Sequence, residues 1–460
     1  MIINRFKKII LVSGDTLVLY AALAATLLLR YRQDLTQNVW DKHFLPFTFL
    51  FLLWLLVFFI NGLYEIGGSK NDLQFYNKII RNLLLCYAFA GAYFYLLAGN
   101  LFNIRPQTVF FIFMAVAAAL FTIWRYWYNT FVQGPYLARN VLVIGMNDEA
   151  LELVEEIARK PQLGFRITTV IHDGWRRNRG LLPGVTVLPG ETDIKKIIQE
   201  KNITTVVTAL DPHGNPELAQ KLYDCLTLKL QFFDLPGFYE RLTGKIPVTN
   251  IGHIWFLENL AEAEKSFYEV VKRFFDLMIA SVFFMVSIPL QLLIALAIKL
   301  DSPGPVYYRQ TRVGHQGREF SAIKFRSMIS EAEADGEARW AQKNDNRVTK
   351  TGKLLRKIRF DELPQLWNIL RGELSLIGPR PERPEFVRNL REIIPFYNER
   401  HLIKPGLTGW AQINFPYGAS AGDALKKLQY DLFYIKNRSL LLDLGIILKT
   451  INIMLTGRGQ

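Results

Sequence analysis

Cysteine and histidine are scarce in this chain of 460 residues, which has two cysteines and six histidines. The two cysteines, Cys86 and Cys225, are far apart in the sequence, and the histidines lack the spacing of metal ligands. These shortages exclude a disulfide framework and argue against a metal centre built from thiolates or imidazoles.

Negative charge is also in short supply, because 55 Lys and Arg residues face 41 Asp and Glu residues and give a net charge of +14. Such an excess suits an anionic membrane surface, a phosphorylated ligand or a nucleic acid. The sequence has no recognisable nucleic-acid-binding motif, so we predict no nucleic-acid partner.

Apolar residues are plentiful, and four long apolar runs fill the first quarter of the chain, at residues 9–29, 44–60, 83–98 and 108–124. Each is near the length that crosses the hydrocarbon core as a helix, which predicts a four-helix transmembrane domain over residues 1–130. No cleavage site for a signal peptide follows the first run, and its Asp15 is expected to face neighbouring helices. The distribution of Lys and Arg places the N-terminus and the soluble parts in the cytoplasm.

The pattern changes at residues 138–245, where short apolar runs alternate with helical patterns. Runs such as "NVLVIG", "FRITTVI" and "ITTVVTAL" predict the strands of a Rossmann-like parallel α/β module. A dinucleotide-binding fingerprint needs three glycines after the first strand, but only Gly145 is present, with Asn147 and Ala150 at the other positions. We therefore favour a scaffold or regulatory module over one that binds NAD.

A fifth apolar run, residues 277–298, has Pro289 near its middle and basic residues on both sides. Proline removes a backbone donor, and Ser287 is placed to bond a freed carbonyl. We predict a re-entrant helix over residues 274–300, broken at Pro289, that enters and leaves through one leaflet, with an ordinary proline-kinked span as the alternative.

Paired carboxylates lie in "RFDELPQLWNIL", where Leu363, Leu366, Trp367 and Leu370 recur at helical spacing and Gly372 follows as a stop signal. Asp361 and Glu362 are thus expected at or just before a helix N-terminus. They can cap that helix, or they can serve as a nucleophile and a Mg²⁺ ligand. Several nearby cations are predicted to bind phosphate: Lys324, Arg326, Arg356, Arg359, Arg380 and Arg383.

From about Lys272 onward, roughly two fifths of the chain, the sequence resembles the bacterial sugar transferases, the polyprenyl-phosphate hexose-1-phosphate transferases. The shared motifs are "KRFFD", "GPVYYRQTRVG", "KFRSM", "DELPQLWNIL", "SLIGPRPE" and "KPGLTGWAQ". The N-terminal spans and the α/β module resemble the large form of the family. The ending "FPYGAS…DALKKLQYDLFYIKNRSLLLDL" is similar to the exosortase-associated exopolysaccharide subgroup.

The resemblance implies transfer of a sugar 1-phosphate from a UDP-sugar to undecaprenyl phosphate with release of UMP, the first membrane step of exopolysaccharide or other glycan synthesis. It implies that Asp361 is the nucleophile of a covalent phosphosugar intermediate and that Glu362 binds Mg²⁺. Glucose and galactose are the sugars the family suggests first, with N-acetylated and deoxy sugars as the alternatives. The chain is then a multi-pass protein of the bacterial inner membrane, with a homodimer as one expected state.

The implied domain order is a transmembrane domain, the α/β module, a linker at 246–268 and a catalytic domain at 269–460. The ending "LLLDLGIILKTINIML", which includes Asp443 and Lys449, is interpreted as an interfacial helix. Two rival functions stay open. A membrane-tethered NAD-dependent sugar-nucleotide epimerase or dehydratase needs a Tyr-x-x-x-Lys pair that "YLARN" does not supply. A ligand-sensing scaffold would not need the intact Asp361–Glu362 pair.

Overall fold

The structure is a computed structural model that describes residues 2–65, 70–98, 107–132, 138–172, 184–210, 215–260, 265–329, 347–415, 418 and 420–456. The chain divides into two compact units, Met1–Leu242 and Thr243–Gln460. The described part contains five helical segments that are long and apolar enough to cross a membrane, four in the first unit and one in the second. A membrane α/β protein, as predicted, is therefore what the fold shows.

Four helices open the first unit: α1 (Ile2–Tyr31), α2 (Gln37–Ile60), α3 (Leu73–Tyr93) and α4 (Gln107–Trp127). Their mutual contacts bury large aromatic side chains, among them Phe47, Trp54, Phe58, Phe113 and Phe121. Other apolar side chains of the same helices, such as Leu17 and Phe111, are exposed. A bundle that is apolar on its outer surface is what lipid contact requires. The number and direction of its membrane crossings stay a prediction.

Helices α1 and α4 are joined by a buried ion pair. Arg125 Nη2 donates to Asp15 Oδ2 at 2.6 Å, and both side chains are fully buried. Trp124 Nε1 donates to the other Asp15 oxygen at 3.0 Å, and Arg125 Nη1 donates to the Leu63 carbonyl at 2.9 Å. The prediction that Asp15 faces neighbouring helices is confirmed.

Arg125→Leu is expected to lower the melting temperature of the detergent-solubilised protein more than the double variant Asp15→Leu/Arg125→Leu does. The single change leaves a buried carboxylate without its cation, and breaking one side of such a pair costs about 3–5 kcal/mol. The double change removes both charges. Thermal unfolding of the two variants beside the unchanged protein tests this, and equal melting of single and double variants would contradict it.

The α/β module has a five-stranded sheet in the order β3-β2-β1-β4-β5, and every pairing is parallel. Its strands are β1 (Arg139–Ile144), β2 (Phe165–Ile171), β3 (Thr186–Leu188), β4 (Ile203–Thr208) and β5 (Gln231–Asp234). The helices between and after them are α5 (Asp148–Arg159), α6 (Ile194–Glu200), α7 (Pro216–Tyr223) and α8 (Leu235–Thr243). Buried residues line both faces of the sheet, so the predicted parallel sheet is confirmed.

The turn after β1 is narrow. Gly145 has a φ of +84°, and a Cβ placed on it would lie 2.7 Å from the Cγ atom of Leu210. In dinucleotide-binding sheets the pyrophosphate approaches the backbone at this first turn. Here Leu210 closes over it, and Asn147 caps α5 by accepting from the Ala150 amide. The expectation that the module binds no dinucleotide stays a prediction.

The second unit begins with α9 (His253–Asn259) and the long helix α10 (Ser266–Asp301), followed by the antiparallel hairpin β6 (Tyr307–Val313) and β7 (Glu319–Phe325). Next come α11 (Lys350–Ile358), α12 (Gln365–Arg371) and the strand β8 (Ser375–Ile377). The rest is α13 (Pro384–Ile393), β9 (Gly406–Thr408), α14 (Trp410–Asn414), α15 (Ala421–Asn437) and α16 (Leu440–Thr456). Strands β8 and β9 pair in parallel.

Helix α10 packs one face against its own unit along its length and leaves the remainder apolar and exposed. The buried face comprises Lys272, Asp276, Ala280, Ser287, Gln291, Ile294 and Ile298. The helix continues through Pro289, so the structure shows no break in helical conformation there. The carbonyl left without an amide partner by Pro289 is that of Met285, whereas Ser287 Oγ donates to the carbonyl of Phe284 at 3.0 Å. The re-entrant course stays a prediction.

Candidate functional site

The paired acids lie in a tight turn between two helices. Helix α11 ends at Ile358, and the next residue, Arg359, has a φ of +57°, an uncommon value for a residue with a side chain. A 3₁₀ turn, Phe360–Glu362, follows directly and carries both acids. Helix α12 then begins after Pro364 and ends at Arg371, before Gly372, which has a φ of +81°. The predicted helix and its stop signal are confirmed, and the strained backbone of Arg359 lies two residues before Asp361.

Glu362 is held by two cations. Its Oε1 atom accepts from Lys324 Nζ at 2.8 Å and from Arg380 Nη2 at 2.9 Å, and its side chain is 10% exposed. Arg359 Nη1 lies 3.9 Å from the other oxygen. Burial disfavours the carboxylate, but Arg380, Lys324 and Arg359 outweigh burial and hold the pKa of Glu362 well below its usual range. Glu362 is therefore ionised at every pH at which the protein would work.

Asp361 is in a different state. Among the described residues its carboxylate makes no hydrogen bond and no ion pair within 4 Å, and it caps neither neighbouring helix. Burial, reinforced by the Glu362 charge, raises the pKa of Asp361 to about 6, against the opposing pull of Lys324, Arg356 and Arg380. An ionised oxygen with no partner, next to a clamped acid, is what a nucleophile requires. Helix capping does not account for either acid.

The structure gathers four of the six predicted phosphate-binding cations around the acids: Lys324, Arg356, Arg359 and Arg380. The other two face elsewhere. Arg326 is buried and donates to the carbonyls of Ser302 and Pro303, at the end of α10. Arg383 lies beside Glu385 at 3.5 Å, at the start of α13. Four cations around two carboxylates leave positive charge for an anionic substrate.

Close backbone packing fixes Arg380. The Gly406 amide donates to the Pro379 carbonyl at 2.9 Å, and a Cβ on Gly406 would lie 2.0 Å from the Gly378 nitrogen. Only glycines permit this approach, which explains their place in "IGPRP" and "KPGLTG". Arg380, between two prolines, projects from this rigid junction toward Glu362.

The buried cation Arg400 supports the loop that carries Arg380. Arg400 donates to the Arg380 carbonyl at 3.0 Å, to Asp431 Oδ2 at 2.8 Å and to the Tyr397 hydroxyl at 2.7 Å. Sequence reasoning missed Arg400, because Asp431 lies 31 positions away and nothing local shows the pairing. The segment Tyr397–His401 is rich in polar and charged residues, and its sequence does not indicate that Arg400 is a buried one.

Asn368 ties α12 to the strand that carries Lys324. Its Oδ1 accepts from the Ile323 amide at 3.1 Å, and its Nδ2 donates to the Ser321 carbonyl at 2.8 Å. Asn368 is fully buried. The Asn of "DELPQLWN" therefore sets the position of Lys324 relative to the acids.

The described residues around the acids offer Mg²⁺ one candidate protein ligand. Mg²⁺ is commonly held by one or two carboxylates with substrate phosphates and water completing the shell. Within the described residues no group of three or more His, Cys, Asp or Glu side chains forms a metal cage. Glu362 keeps an oxygen, Oε2, that accepts no hydrogen bond from the described residues, so it is the candidate protein ligand.

Comparison with known proteins identifies two regions. The family described as bacterial sugar transferase matches residues 267–457, which include the acids and the surrounding cations. A family described as CoA-binding domain matches residues 59–225. The first match covers the second unit from α10 almost to its end, and the second covers parts of the helical bundle and of the α/β module.

Three relatives illustrate the similarity. A UDP-N-acetylgalactosamine-undecaprenyl-phosphate N-acetylgalactosaminephosphotransferase of Aeromonas hydrophila is 42% identical over 53% of this chain and 62% of its own length. An undecaprenyl-phosphate glucose phosphotransferase of Komagataeibacter xylinus is 34% identical over 68% of this chain and 59% of its own length. The chain thus matches about three fifths of these two relatives.

A third relative is matched nearly whole. The exopolysaccharide production protein PSS of Rhizobium leguminosarum bv. phaseoli is 39% identical over 41% of this chain and 98% of its own length. With the family match at residues 267–457, this shows that the chain belongs to the bacterial sugar transferase family, in the large form that adds apolar helices and an α/β module to the transferase part.

Proposed function

We propose that this protein transfers a sugar 1-phosphate from a UDP-sugar to undecaprenyl phosphate and releases UMP. The observation that carries the proposal is the difference between the environments of the two acids. Glu362 is clamped by Lys324 and Arg380, whereas the adjacent Asp361 is ionisable and has no hydrogen-bond partner among the described residues. A scaffold has no need of such an arrangement.

The reaction we propose has two displacements at the same phosphorus. An Asp361 oxygen attacks the sugar-bearing phosphorus, and the bond from that phosphorus to the bridging oxygen breaks, so that UMP leaves with the bridging oxygen. A phosphate oxygen of undecaprenyl phosphate then attacks the same phosphorus, which frees the Asp361 carboxylate and yields the lipid diphosphate sugar. Each attack brings two negative groups together, so Arg356, Arg359 and Arg380 lower the barrier by offsetting their repulsion.

Magnesium completes this proposal, with Glu362 as its protein ligand. When bound, Mg²⁺ supplies further positive charge to the diphosphate. Lys324 and Arg380 keep Glu362 ionised and fixed, which is the state in which a carboxylate binds a hard cation.

A lipid acceptor requires a site at the bilayer surface, and we infer that α10 bends at Pro289 without losing its helical conformation and returns to the side from which it enters. Near its start, Arg273 donates to the carbonyls of Ile369 and Leu370, at the end of α12. At its end, Asp301 accepts from the Thr351 amide in α11 at 2.9 Å. The helices on either side of the acids thus contact opposite ends of α10, which supports both ends lying on the cytoplasmic side.

Phe267→Cys and Leu300→Cys, introduced singly in a background without Cys86 and Cys225, are expected to resist a membrane-impermeant thiol reagent added to intact cells. Both positions are exposed in the structure, and both should react in inverted membrane vesicles. Gln37→Cys, between the first two spans, is the control expected to react in intact cells. Labelling of Leu300→Cys alone from outside would show that α10 crosses the membrane.

The pH dependence of kcat/KM should report Asp361. Below pH 6 its carboxyl gains a proton and loses nucleophilicity, so the rate should fall about tenfold per pH unit, with Glu362 adding no limb in this range. Arg356→Gln removes a cation that opposes protonation and should move the limb to higher pH. Steady-state rates from pH 5 to 8 test both the acidic limb of the unchanged protein and its move in Arg356→Gln. A flat profile would contradict the assignment.

The reaction itself is tested by UMP release from a panel of UDP-sugars, with and without undecaprenyl phosphate. The names of the relatives make UDP-N-acetylgalactosamine and UDP-glucose the first donors to include. We expect one donor to give lipid-dependent UMP release and a lipid-linked product. If every donor fails while the protein is folded and membrane-bound, the proposal is wrong.

A further inference from the structure

A second charged cavity lies in the same unit, away from the acids. It has a volume of about 330 Å³, and its walls come from the start of α10, the segment around β8, the chain before β9 and the end of α15. Its charged lining residues are Glu269, Lys272, Arg273, Asp276, Lys404 and Arg438. The transfer chemistry proposed above uses none of them.

Two of its cations are neutralised by acids and two are not. Lys272 pairs with Asp443 at 3.2 Å, and Arg438 pairs with Glu269 at 3.1 Å. Arg273 donates to two uncharged carbonyls, which leaves its charge in place.

Lys404 is the other cation without an acid in contact. Among the described residues it makes no hydrogen bond and no ion pair within 4 Å. Burial, together with the nearby Arg273 charge, lowers the pKa of Lys404. Asp276 and Glu269 oppose this shift, but neither contacts the ammonium, and a half-buried ammonium without an acid in contact is the kind of group that an anion stabilises.

Arg273 and Lys404 both lie close to Gly372. Arg273 Nη2 and Lys404 Nζ lie 3.3 and 3.7 Å from the point where a Cβ on Gly372 would sit. With Asp276 as the remaining acid, whose Oδ1 accepts from the Leu376 amide, the cavity carries one excess positive charge. A singly charged anion such as a phosphodiester would balance it.

The place of the cavity on α10 indicates where such an anion comes from. Val270 lines the cavity and is exposed, and Phe274 and Phe275, the next residues beyond Arg273, are exposed apolar side chains. The cavity therefore opens where α10 passes from charged to apolar surface, which is the level of lipid headgroups.

The cavity is also distinct from the catalytic turn. Arg273 binds the last carbonyls of α12, whereas the acids precede its first residue. Seven residues of α-helix are about 10 Å long, so a phosphate in the cavity is out of reach of Asp361. Whatever binds there is not the reacting phosphate.

We propose that this cavity binds the phosphodiester of an anionic membrane phospholipid, which Arg273 and Lys404 grip at the bilayer surface. The bound lipid fixes the start of α10 against the end of α12, just behind the catalytic turn. The proposal is independent of the transfer reaction, because it concerns a lipid that is not consumed.

The test is thermal unfolding of the full-length protein in detergent with added phosphatidylglycerol or with phosphatidylcholine of the same acyl chains. We expect phosphatidylglycerol to raise the melting temperature by about 3–6 °C and phosphatidylcholine to have little effect. Lys404→Gln should lose at least half of this rise, and Lys404→Arg, which keeps the charge, should retain it. Lys353→Gln removes an exposed lysine on α11 and should behave as the unchanged protein.

Native mass spectrometry supplies a readout that does not depend on unfolding. Phosphatidylglycerol should be retained by the unchanged protein and lost from Lys404→Gln, including when that variant melts at a lower temperature without lipid. Equal stabilisation of all variants, or an equal effect of phosphatidylcholine, would overturn the proposal. An equal rise with inorganic phosphate would assign the cavity to a free anion and overturn the lipid. If only undecaprenyl phosphate raised the melting temperature, and the rise depended on Lys404, the cavity would be a subsite for the acceptor. That result would also refute the phospholipid proposal.

Discussion

Asp361→Asn is expected to reduce UMP release by about a thousandfold or more, because the amide lacks the oxyanion that attacks phosphorus. The substitution keeps the size of the side chain. Among the described residues Asp361 has no hydrogen bond to lose, so the surrounding turn should keep its shape. Steady-state UMP release with saturating donor and lipid measures the effect.

The same variant should be more stable than the unchanged protein above pH 6. The folded protein raises the pKa of Asp361 from 3.8 to about 6, so its ionised form opposes folding. This penalty is absent below about pH 4, grows between pH 4 and 6, and is constant above. We expect a gain on the order of 1–2 kcal/mol in the free energy of unfolding. Lost activity with lowered stability would indicate a structural role and contradict the assignment.

Glu362→Gln should also lose activity, but its stability should fall, whereas that of Asp361→Asn should rise. The change leaves Lys324 and Arg380 without the carboxylate they share, at a cost of about 2–3 kcal/mol. It should also raise the magnesium concentration needed for half-maximal activity and lower the pH of the Asp361 limb, because the Glu362 charge raises the pKa of Asp361.

The matched control for this variant is Glu392→Gln, an exposed acid on α13. It removes the same charge elsewhere and should change neither magnesium dependence nor melting temperature. If Glu362→Gln lowers stability but leaves the magnesium requirement as it was, Glu362 acts only as the partner of Lys324 and Arg380, and the metal-ligand role is wrong.

Apolar runs and helical spacing in the sequence predicted several strands and one helix correctly. The strands β1, β2 and β4 were visible as apolar runs, and the period of α12 with Gly372 as its stop was visible in "LPQLWNILRG". The acids were correctly expected at the start of that helix. These features follow from side-chain period and glycine geometry, which a sequence displays directly.

Roles that depend on tertiary contacts were not predictable to the same depth. The sequence offered six candidate cations, but only the fold distinguishes Lys324, which reaches Glu362, from Arg326 two residues later, which reaches Ser302. Residues two positions apart in a strand share a face, but β7 ends at Phe325, so Arg326 lies beyond the strand and donates to the carbonyls at the end of α10 instead. The same limit hid Arg400, whose partners lie on three separate segments.

The adjacent acids show the limit most clearly. Both were expected at or just before a helix start, yet Glu362 is held by two cations and Asp361 has no hydrogen-bond partner among the described residues. Arg359, at the junction between α11 and the 3₁₀ turn that carries both acids, has a left-handed conformation. No periodicity reports such a conformation at a residue other than glycine.

The most direct test of the central claim is to trap the intermediate. The full-length protein is incubated with labelled UDP-sugar and Mg²⁺ without undecaprenyl phosphate, digested, and analysed by mass spectrometry. We predict one phosphosugar adduct on the peptide that contains Asp361, its disappearance when undecaprenyl phosphate is added, and its absence from Asp361→Asn. An adduct that maps to another residue, or that persists in Asp361→Asn, would contradict the account.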